Sequence, residues 1–414
     1  MKRLTKKLGI WIFVSAIALT MAMTINLSET EAADVFKIGV IAPMTGPAAE
    51  TGEGMKGASI IVADEINNKG GILGRKIELY FVDDESKAAA GASAMERLIN
   101  RDKVDIIIGT MNSNVGLATM EIAANYQIPF IMTGPAAQAI SDKIKGNPQR
   151  YKYLLKPDPP ATTHSIGVAS AAEMIAKEDP KHASKKTVVY VTEHTDWGKD
   201  IANVAVTDMD RVGWKVIDKQ VHDIGETNFM SLLSKIKALK PDLLATAETS
   251  ASAGASLAKQ FMDQGLNMYL VQIYAPFKPG YLEALSGGVD GIIGESMVEC
   301  HTKLCDELAK KYTNRFGAPK FDVVGAMQYD MMYATARAYE KAGSFDKDKW
   351  IQAILDMRIE GTIGVYVFNK DNHESKVGKD YLPTVVKQLQ GKKWEFMKPD
   401  YMRTKKFIVP SWLK

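Results

Sequence analysis

The feature that most constrains the fold is a repeated alternation of short apolar segments with amphipathic ones. Segments of about four to eight residues rich in Val, Ile, Leu and Phe have the pattern of buried strands, and those between them have the apolar spacing of helices. In the first half we predict strands at 36–42, 76–82, 105–108 and 129–132, with helices at 54–67, 88–100 and 116–125. In the second half we predict strands at 187–191, 214–221, 243–246 and 268–273, with helices at 198–212, 229–239 and 252–264. This order predicts an α/β fold with two similar open parallel sheets, each covered by helices on both faces.

The last third of the chain has a more helical pattern. We predict helices at 306–316, 323–342 and 349–356, followed by strands near 365–368 and 382–389. The sequence of 414 residues is longer than one hydrophobic core usually supports, so two domains are expected. Open α/β sheets bind ligands at the carboxyl ends of their strands, and two such sheets facing each other would form a cleft.

The first 32 residues have the order of a secretory signal peptide. The basic residues come first: Lys2, Arg3, Lys6 and Lys7. The apolar run that follows within 8–23 is shorter than the roughly 20 residues that a membrane-spanning helix needs. We therefore expect cleavage after Ala32 or Ala33 and export to a periplasm. No cysteine lies at the cleavage site, which argues against a lipid anchor.

Charge and cysteine content exclude several partners. Without the first 32 residues, 48 Lys and Arg stand against 47 Asp and Glu. Because nucleic acids and anionic membranes require a basic surface, we expect no nucleic-acid partner. Cys300 and Cys305, the two cysteines, could form one local disulfide in an oxidising compartment. Together with His301 they are too few ligands for a structural zinc site.

No residue pattern indicates catalysis, a metal or a cofactor. Gly52, Gly54 and Gly57 match the G-x-G-x-x-G spacing of dinucleotide sites, but a true fingerprint follows its strand directly, and residues 43–51 intervene here. The six histidines have no ligand spacing, and neither a G-x-S-x-G nor an H-E-x-x-H motif occurs. We therefore interpret the glycines as the opening of a helix and expect neither an enzyme nor a bound cofactor.

The loops that follow the predicted strands have the composition of a small-molecule site. The third strand is followed by Asn112 and Ser113 at the start of a helix, whose free backbone N–H groups suit a carboxylate or another anion. The fourth strand is followed by Ala136 and Gln138, a small residue and a polar one. Trp197 follows the first strand of the second half, and its ring either packs in the core or faces a ligand.

Several segments resemble the periplasmic leucine/branched-chain amino-acid-binding proteins. The sequence I-G-V-I-A-P-M-T-G-P-A-A over 38–49 resembles the opening of that family. N-N-K-G-G-I-L-G over 67–74, V-D-D over 82–84, and D-I-I-I-G over 105–109 with Ser113 continue the likeness in the same order. The resemblance covers nearly all of the chain that follows the signal peptide.

The resemblance implies a type I solute-binding protein of an ABC importer, with two lobes joined by a three-strand hinge. Lobe I would comprise residues 34–156 and 297–381, and lobe II residues 157–296 and 382–414. The implied partners are a small-molecule ligand and an ABC permease in the inner membrane, and we expect a monomer.

The resemblance also implies which residues hold the ligand. Ser113 resembles the hydroxyl that binds the ligand carboxylate. Ala136 and Gln138 stand where the family uses backbone atoms and a threonine hydroxyl, and Thr51 and Trp197 stand where tyrosines often cover the ligand. The replacement of that threonine by Gln138 changes the shape and the donors of the pocket.

The second lobe departs from the family pattern at the position that recognises an amine. Ser250 and Tyr274 fall at its remaining ligand positions, and amino-acid binders carry an acid near Tyr274 that pairs with the ligand's ammonium. The sequence there is Q-I-Y-A-P-F, without an acid. Burying an unpaired ammonium costs on the order of several kcal/mol, so Glu248 or Glu193 would have to replace it. The ligand is therefore a branched-chain or other hydrophobic amino acid, or an amine-free aromatic or aliphatic carboxylate.

Two other classes of protein are compatible with this fold. An exported enzyme would need a paired nucleophile and base, and the sequence shows none. Sensory receptors with this fold usually continue into a membrane-spanning segment, and no later stretch is apolar enough to form one. We therefore predict a binding protein that closes on its ligand by hinge bending and has no catalytic activity.

Overall fold

The computed structural model describes residues 35–286, 289–318 and 320–414. The predicted signal peptide lies outside the described residues. Two large sheets, of five and seven strands, organise the described chain.

The first sheet is parallel throughout. Its strands are β1 (Phe36–Ala42), β2 (Ile77–Asp83), β3 (Ile106–Gly109), β4 (Phe130–Met132) and β5 (Leu154–Leu155). The helices between them are α1 (Ala49–Asn68), α2 (Ala88–Arg97), α3 (Ser113–Tyr126) and α4 (Gln138–Gly146), with a π-helical turn (Leu98–Asp102) after α2. The strand order is β2-β1-β3-β4-β5. β1 and β3 are nearly all apolar and buried because helices cover both faces of the sheet.

The second sheet begins after a crossing to the other side of the molecule. Its first strands are β6 (Thr187–Glu193), β7 (Lys215–His222), β8 (Leu243–Glu248), β9 (Tyr269–Tyr274) and β10 (Ile293–Ser296). The helices of this part are α5 (Thr162–Glu178), α6 (Asp196–Arg211), α7 (Met230–Leu239), α8 (Ala251–Asp263) and α9 (Tyr281–Ala284), with a 3-10 turn (Ala275–Phe277) before α9.

The C-terminal part first returns to the first sheet and then completes the second. It contains α10 (Lys303–Phe316), α11 (Val323–Ala342), α12 (Lys347–Leu355), β11 (Ile359–Gly361), β12 (Gly364–Tyr366), β13 (Val385–Gln390), β14 (Lys393–Lys398) and a 3-10 turn (Asp400–Met402). α11 packs along α1, and most of its residues are buried. The order of the second sheet is β14-β13-β10-β9-β8-β6-β7.

The predicted α/β fold with two parallel-dominated sheets is confirmed, with one difference. β13 and β14 pair antiparallel at the edge of the second sheet, whereas β10 to β7 are parallel. The sequence patterns also missed α5 and β10. α5 is rich in Ala, Gly, Ser and Thr, and β10 (I-G-E-S) has one large apolar residue, so neither carries a clear hydrophobic period.

Within the described residues the chain passes between the two sheets three times, at residues 156–161, 297–302 and 367–384. The first and third crossings pair side by side: the Lys156 N–H donates to the His373 carbonyl at 2.9 Å, and the Ser375 N–H donates to the Lys156 carbonyl at 3.2 Å. At the second crossing a disulfide joins Cys300 to Cys305, whose Cα atoms are 5.8 Å apart.

The described ranges contain no helix with the length and apolarity needed to cross a bilayer.

Candidate functional site

A cavity lies between the carboxyl ends of the two sheets. It encloses about 570 Å³, counting the part that opens to solvent. The first-sheet side contributes Met111, Asn112, Ser113, Asn114, Ala136, Val323 and Val324. The second-sheet side contributes His164, Thr195, Trp197, Thr249, Tyr274 and Ser296, and the first two crossings add Asp158, Met297 and Val298. The lining thus combines apolar and aromatic side chains with an equal number of polar or charged ones, and polar groups within an apolar cavity are what orient a small molecule.

The start of α3 presents unoccupied donors to this cavity. Gly109 ends β3 with φ +150°, and a side chain there would collide with the Ile41 carbonyl, so glycine lets the chain turn sharply toward the cavity. Asn112 is the N-cap of α3 but makes no side-chain cap hydrogen bond. Ser113 Oγ accepts a hydrogen bond from the Ala137 N–H at 3.0 Å, which leaves its own proton free to donate. Backbone N–H groups and a hydroxyl at a helix start favour an anion.

Aromatic rings form the opposite wall. Thr195 caps α6 by accepting from the Gly198 N–H at 3.1 Å, and this turn brings Trp197 to the cavity. The Trp197 ring lies edge to face with the rings of Tyr274 and His164, at centroid distances of 6.3 and 5.4 Å. Tyr274 has φ +66°, a rare conformation for a bulky residue that is often found at functional sites.

A buried cluster behind Tyr274 joins the two sides of the molecule. Asp322 Oδ2 accepts hydrogen bonds from the hydroxyls of Thr51 at 2.6 Å and Tyr274 at 2.8 Å. Lys278 Nζ lies 3.1 Å from the same oxygen and also donates to the Thr51 hydroxyl. Burial acts to raise the pKa of Asp322, but the charge of Lys278 and the hydrogen bonds outweigh it and hold the pKa below its usual value. We call these four residues the Asp322 cluster.

Asp158 brings a carboxyl group to the cavity from the first crossing. It is 4% exposed, and its carboxyl makes no hydrogen bond to any described residue, although Lys156 Nζ donates to its backbone carbonyl at 2.6 Å. Burial raises the pKa of Asp158 to about 8; Lys156 opposes this shift, and the negative charges of Glu374 and Asp322 add to it. At neutral pH this group can donate a proton to a ligand oxygen, or it can ionise beside a ligand cation.

His164 lines the cavity and is held from behind by Glu295. The two side chains are 2% and 0% exposed, and His164 Nδ1 lies 2.7 Å from Glu295 Oε2. Gly167 makes room for the carboxyl, because a side chain at that position of α5 would collide with Glu295. Burial raises the pKa of Glu295, and the neighbouring His164 opposes that shift.

The predicted ligand-binding residues divide into two groups. Asn112, Ser113, Ala136, Trp197 and Tyr274 all line the cavity. Ala136 offers less than the resemblance implies, since its carbonyl already accepts from the N–H of residue 161 at 2.7 Å.

The other predicted residues do not line the cavity. Thr51 belongs to the Asp322 cluster, Gln138 donates its side-chain amide to Asp142 Oδ1 at 3.0 Å, and Ser250 caps α8. Glu248 is fully buried beside Thr246, so it does not supply a missing acid at the cavity.

Sequence reasoning missed Asp158, His164, Lys278 and Asp322. Lys278 directly follows the Q-I-Y-A-P-F segment, so the departure of that segment from the family pattern was the one signal available for it. Nothing in the sequence distinguishes the other three from ordinary polar residues. The partners that His164 and Asp322 have at the site are distant along the chain, and the Asp158 carboxyl has no hydrogen-bond partner among the described residues.

Comparisons with known proteins agree with the fold. The sequence model of a family described as periplasmic binding protein matches residues 35–388. The Leu/Ile/Val-binding protein BraC3 of Rhizobium johnstonii is 27% identical over 252 residues, which are 61% of this chain and 64% of that protein. This match thus spans less than two thirds of that relative's length.

Two solved structures share the architecture. A putative branched-chain amino acid ABC transporter protein from Silicibacter pomeroyi superposes with a TM-score of 0.80 at 23% identity, covering 92% of this chain and 100% of that one. A solute-binding protein of an ABC transporter from Rhodopseudomonas palustris, solved with 3,4-dihydroxybenzoic acid, gives a TM-score of 0.74 at 21% identity, covering 86% and 93%. At these identities the likeness shows the fold alone.

Proposed function

The chain belongs to the periplasmic binding protein family, and from this premise we propose that it binds a small carboxylate outside the cytoplasm and delivers it to an ABC importer. The observation that carries the proposal is the start of α3, where Ser113 and the uncapped N-terminal turn open into a cavity between the two sheets. Such a helix start binds carboxylates through backbone N–H groups and the helix dipole. The predicted signal peptide supports export, and the partner would be a permease in the inner membrane.

The two ligand classes expected from the sequence are both compatible with this site. One relative's name refers to Leu, Ile and Val, and one structural neighbour was solved with an aromatic acid. An amino acid needs a counter-charge for its ammonium, and Asp158 is the carboxyl that lines the cavity. An amine-free acid needs no counter-charge and would leave Asp158 protonated, as its raised pKa favours.

Hinge closure is the mechanism we propose. The three crossings would act as the hinge between lobe I (34–156 and 297–381) and lobe II (157–296 and 382–414). Two further contacts support closure around the cavity: Glu50 Oε1 accepts from the Ala251 N–H at 2.9 Å, and Asp200 Oδ2 accepts from the Gln138 N–H at 2.8 Å. Each contact joins one lobe to the other, so opening would break both. The proposal includes no catalytic step, and the protein would act as a monomer.

The proposal is tested by thermal unfolding with matched pairs of carboxylates and carboxamides. Leucine and leucinamide, and benzoate and benzamide, differ only at the group that α3 would hold. A carboxylate present at 100 times its dissociation constant stabilises the protein by about 2.7 kcal/mol, which raises the melting temperature. If the amides raise it equally, the carboxylate has no role and the proposal fails. A comparison of leucine with 4-methylpentanoate then decides between the two ligand classes.

Replacing Ser113 with alanine is expected to weaken binding of the carboxylate about tenfold, because it removes one hydrogen bond to a charged group, worth about 1.5 kcal/mol. The ligand-free melting temperature should change little, since the serine contributes one hydrogen bond to the fold. Titration calorimetry measures the affinity. The matched control is Ser93→Ala on α2, an exposed serine that bonds only within its helix. If the two variants bind the carboxylate with equal affinity, Ser113 does not contact the ligand.

A further inference from the structure

The His164–Glu295 pair leaves one ring nitrogen available to the cavity. Nδ1 of His164 is engaged by Glu295 Oε2 at 2.7 Å, so Nε2 is the nitrogen that can reach a ligand. His164 lines the cavity beside Trp197. The question that decides its function is whether Nε2 donates or accepts a hydrogen bond.

The burial of the pair answers this question. An uncompensated charge at this depth is costly, so the pair must be neutral as a whole. A carboxylic proton on Glu295 Oε1 would be left unpaired, because that buried oxygen has no hydrogen-bond partner among the described residues. Two arrangements of a neutral pair then remain: an imidazolium beside a carboxylate, or a neutral imidazole that accepts the carboxylic proton at Nδ1. In both arrangements Nε2 carries a proton. The nitrogen that faces the cavity is therefore a donor wherever the shared proton lies.

A donor at this position requires an acceptor on the ligand. The carboxylate is assigned to the start of α3 on the first-sheet side, where Ser113 lies. His164 lies on α5, which packs on the second sheet. The two donors thus come from helices that pack on different sheets, and we take them to address different oxygen atoms of one ligand.

We infer that His164 determines specificity by donating from Nε2 to a second acceptor oxygen of the ligand, so that the ligand is a carboxylate bearing a hydroxyl, carbonyl or second carboxylate group. This inference rests on the proposed function and narrows its substrate class. An apolar amino acid has no such second oxygen and would leave the donor unpaired, which costs binding energy.

The test measures how tightly the full mature protein binds acids that have the second oxygen group and acids that lack it. The probes are benzoate against 4-hydroxybenzoate, hexanoate against adipate, and leucine as an acid without a second acceptor. Titration calorimetry gives the dissociation constants. In at least one pair we expect the acid that carries the second oxygen group to bind tenfold or more tightly than its partner, and more tightly than leucine.

Two variants connect this preference to His164. In His164→Leu the affinities for the two members of a pair should differ by no more than about twofold, while the acid that lacks the second oxygen group still binds. If that variant fails to fold because Glu295 loses its partner, the double variant His164→Leu/Glu295→Leu removes both polar groups and gives the same comparison. The matched control is His182→Leu: His182 also pairs with an acid, with Nδ1 2.6 Å from Asp179 Oδ2, but it does not line the cavity. This control should keep the full preference.

Three results would overturn the inference. The first is binding of both members of each pair with equal affinity by the unaltered protein. The second is tightest binding of leucine. The third is an equal loss of affinity for both members of a pair in His164→Leu, which would mean that His164 holds the carboxylate itself. In all three cases a carboxylate still binds, so the proposed function survives. If no carboxylate of either panel binds, the proposed function fails as well.

Discussion

Asp322→Asn is expected to lower the free energy of unfolding by about 3 kcal/mol, the lower end of the cost of breaking a buried ion pair. Asparagine keeps an oxygen that can cap α11, where Asp322 Oδ1 accepts from the N–H groups of Val324 and Gly325 at 3.0 Å. The substitution therefore removes chiefly the charge opposite Lys278, whose side chain is fully buried. Glu50 Oε1, 3.6 Å from Lys278 Nζ, compensates in part, which is why we expect the lower end.

The size of this loss is measured by guanidinium denaturation. The matched control is Asp64→Asn, because Asp64 pairs with Arg315 at 3.3 Å on the surface, where both side chains are more than half exposed. Such surface pairs contribute about 0.2–1 kcal/mol. The double variant Asp322→Asn/Lys278→Met should lose less free energy of unfolding than the sum of the two single losses, since it removes both fully buried charges and leaves only the partly exposed Glu50 without this partner. Equal losses for Asp322→Asn and Asp64→Asn would show that the buried pair contributes no more than a surface pair.

The two sheets could be predicted because each β-α unit is encoded locally. β1 and β3 are nearly continuous runs of buried apolar residues, and such runs can be recognised without knowledge of distant residues. The position of the antiparallel pair β13 and β14 beside β10 was harder to predict from the sequence, because it depends on pairing between residues about a hundred apart along the chain. Local patterns cannot express such pairing.

The same distinction explains what was found of the site. Ser113 and Trp197 each lie four residues after the last residue of a strand, so their approach to the cavity follows from the rule that ligands bind at the carboxyl ends of parallel strands. Thr51 and Asp322 are 271 residues apart in sequence, and His164 and Glu295 are 131 apart. Their chemistry exists only once the fold brings them together. Glu248, one of the two acids considered as a counter-charge, does not line the cavity, because the side chain of this strand-end residue is enclosed in the protein interior.

Trp197→Ala is expected to weaken ligand binding by at least 100-fold, which corresponds to about 3 kcal/mol, in the range of aromatic binding hot spots. Its ring forms the wall between His164 and Tyr274, so its removal enlarges the apolar part of the cavity and frees both neighbours. Part of the lost affinity would come from the missing contact between the ring and the ligand, and part from the greater freedom of the two neighbouring side chains. Fluorescence is unsuitable as a readout when a tryptophan is removed, so calorimetry measures the affinity.

Trp412→Ala separates ligand contact from packing. Trp412 is half-buried, packs on Phe261 at a centroid distance of 6.1 Å and donates to the Met268 carbonyl at 2.9 Å, away from the cavity. Its removal should lower the melting temperature and leave affinity within about threefold of the unaltered protein. If Trp197→Ala behaves in the same way, Trp197 supports the fold and does not touch the ligand. A large loss of affinity in Trp197→Ala alone would show that the Trp197 ring contacts the ligand, since a general loss of stability would weaken binding in both variants.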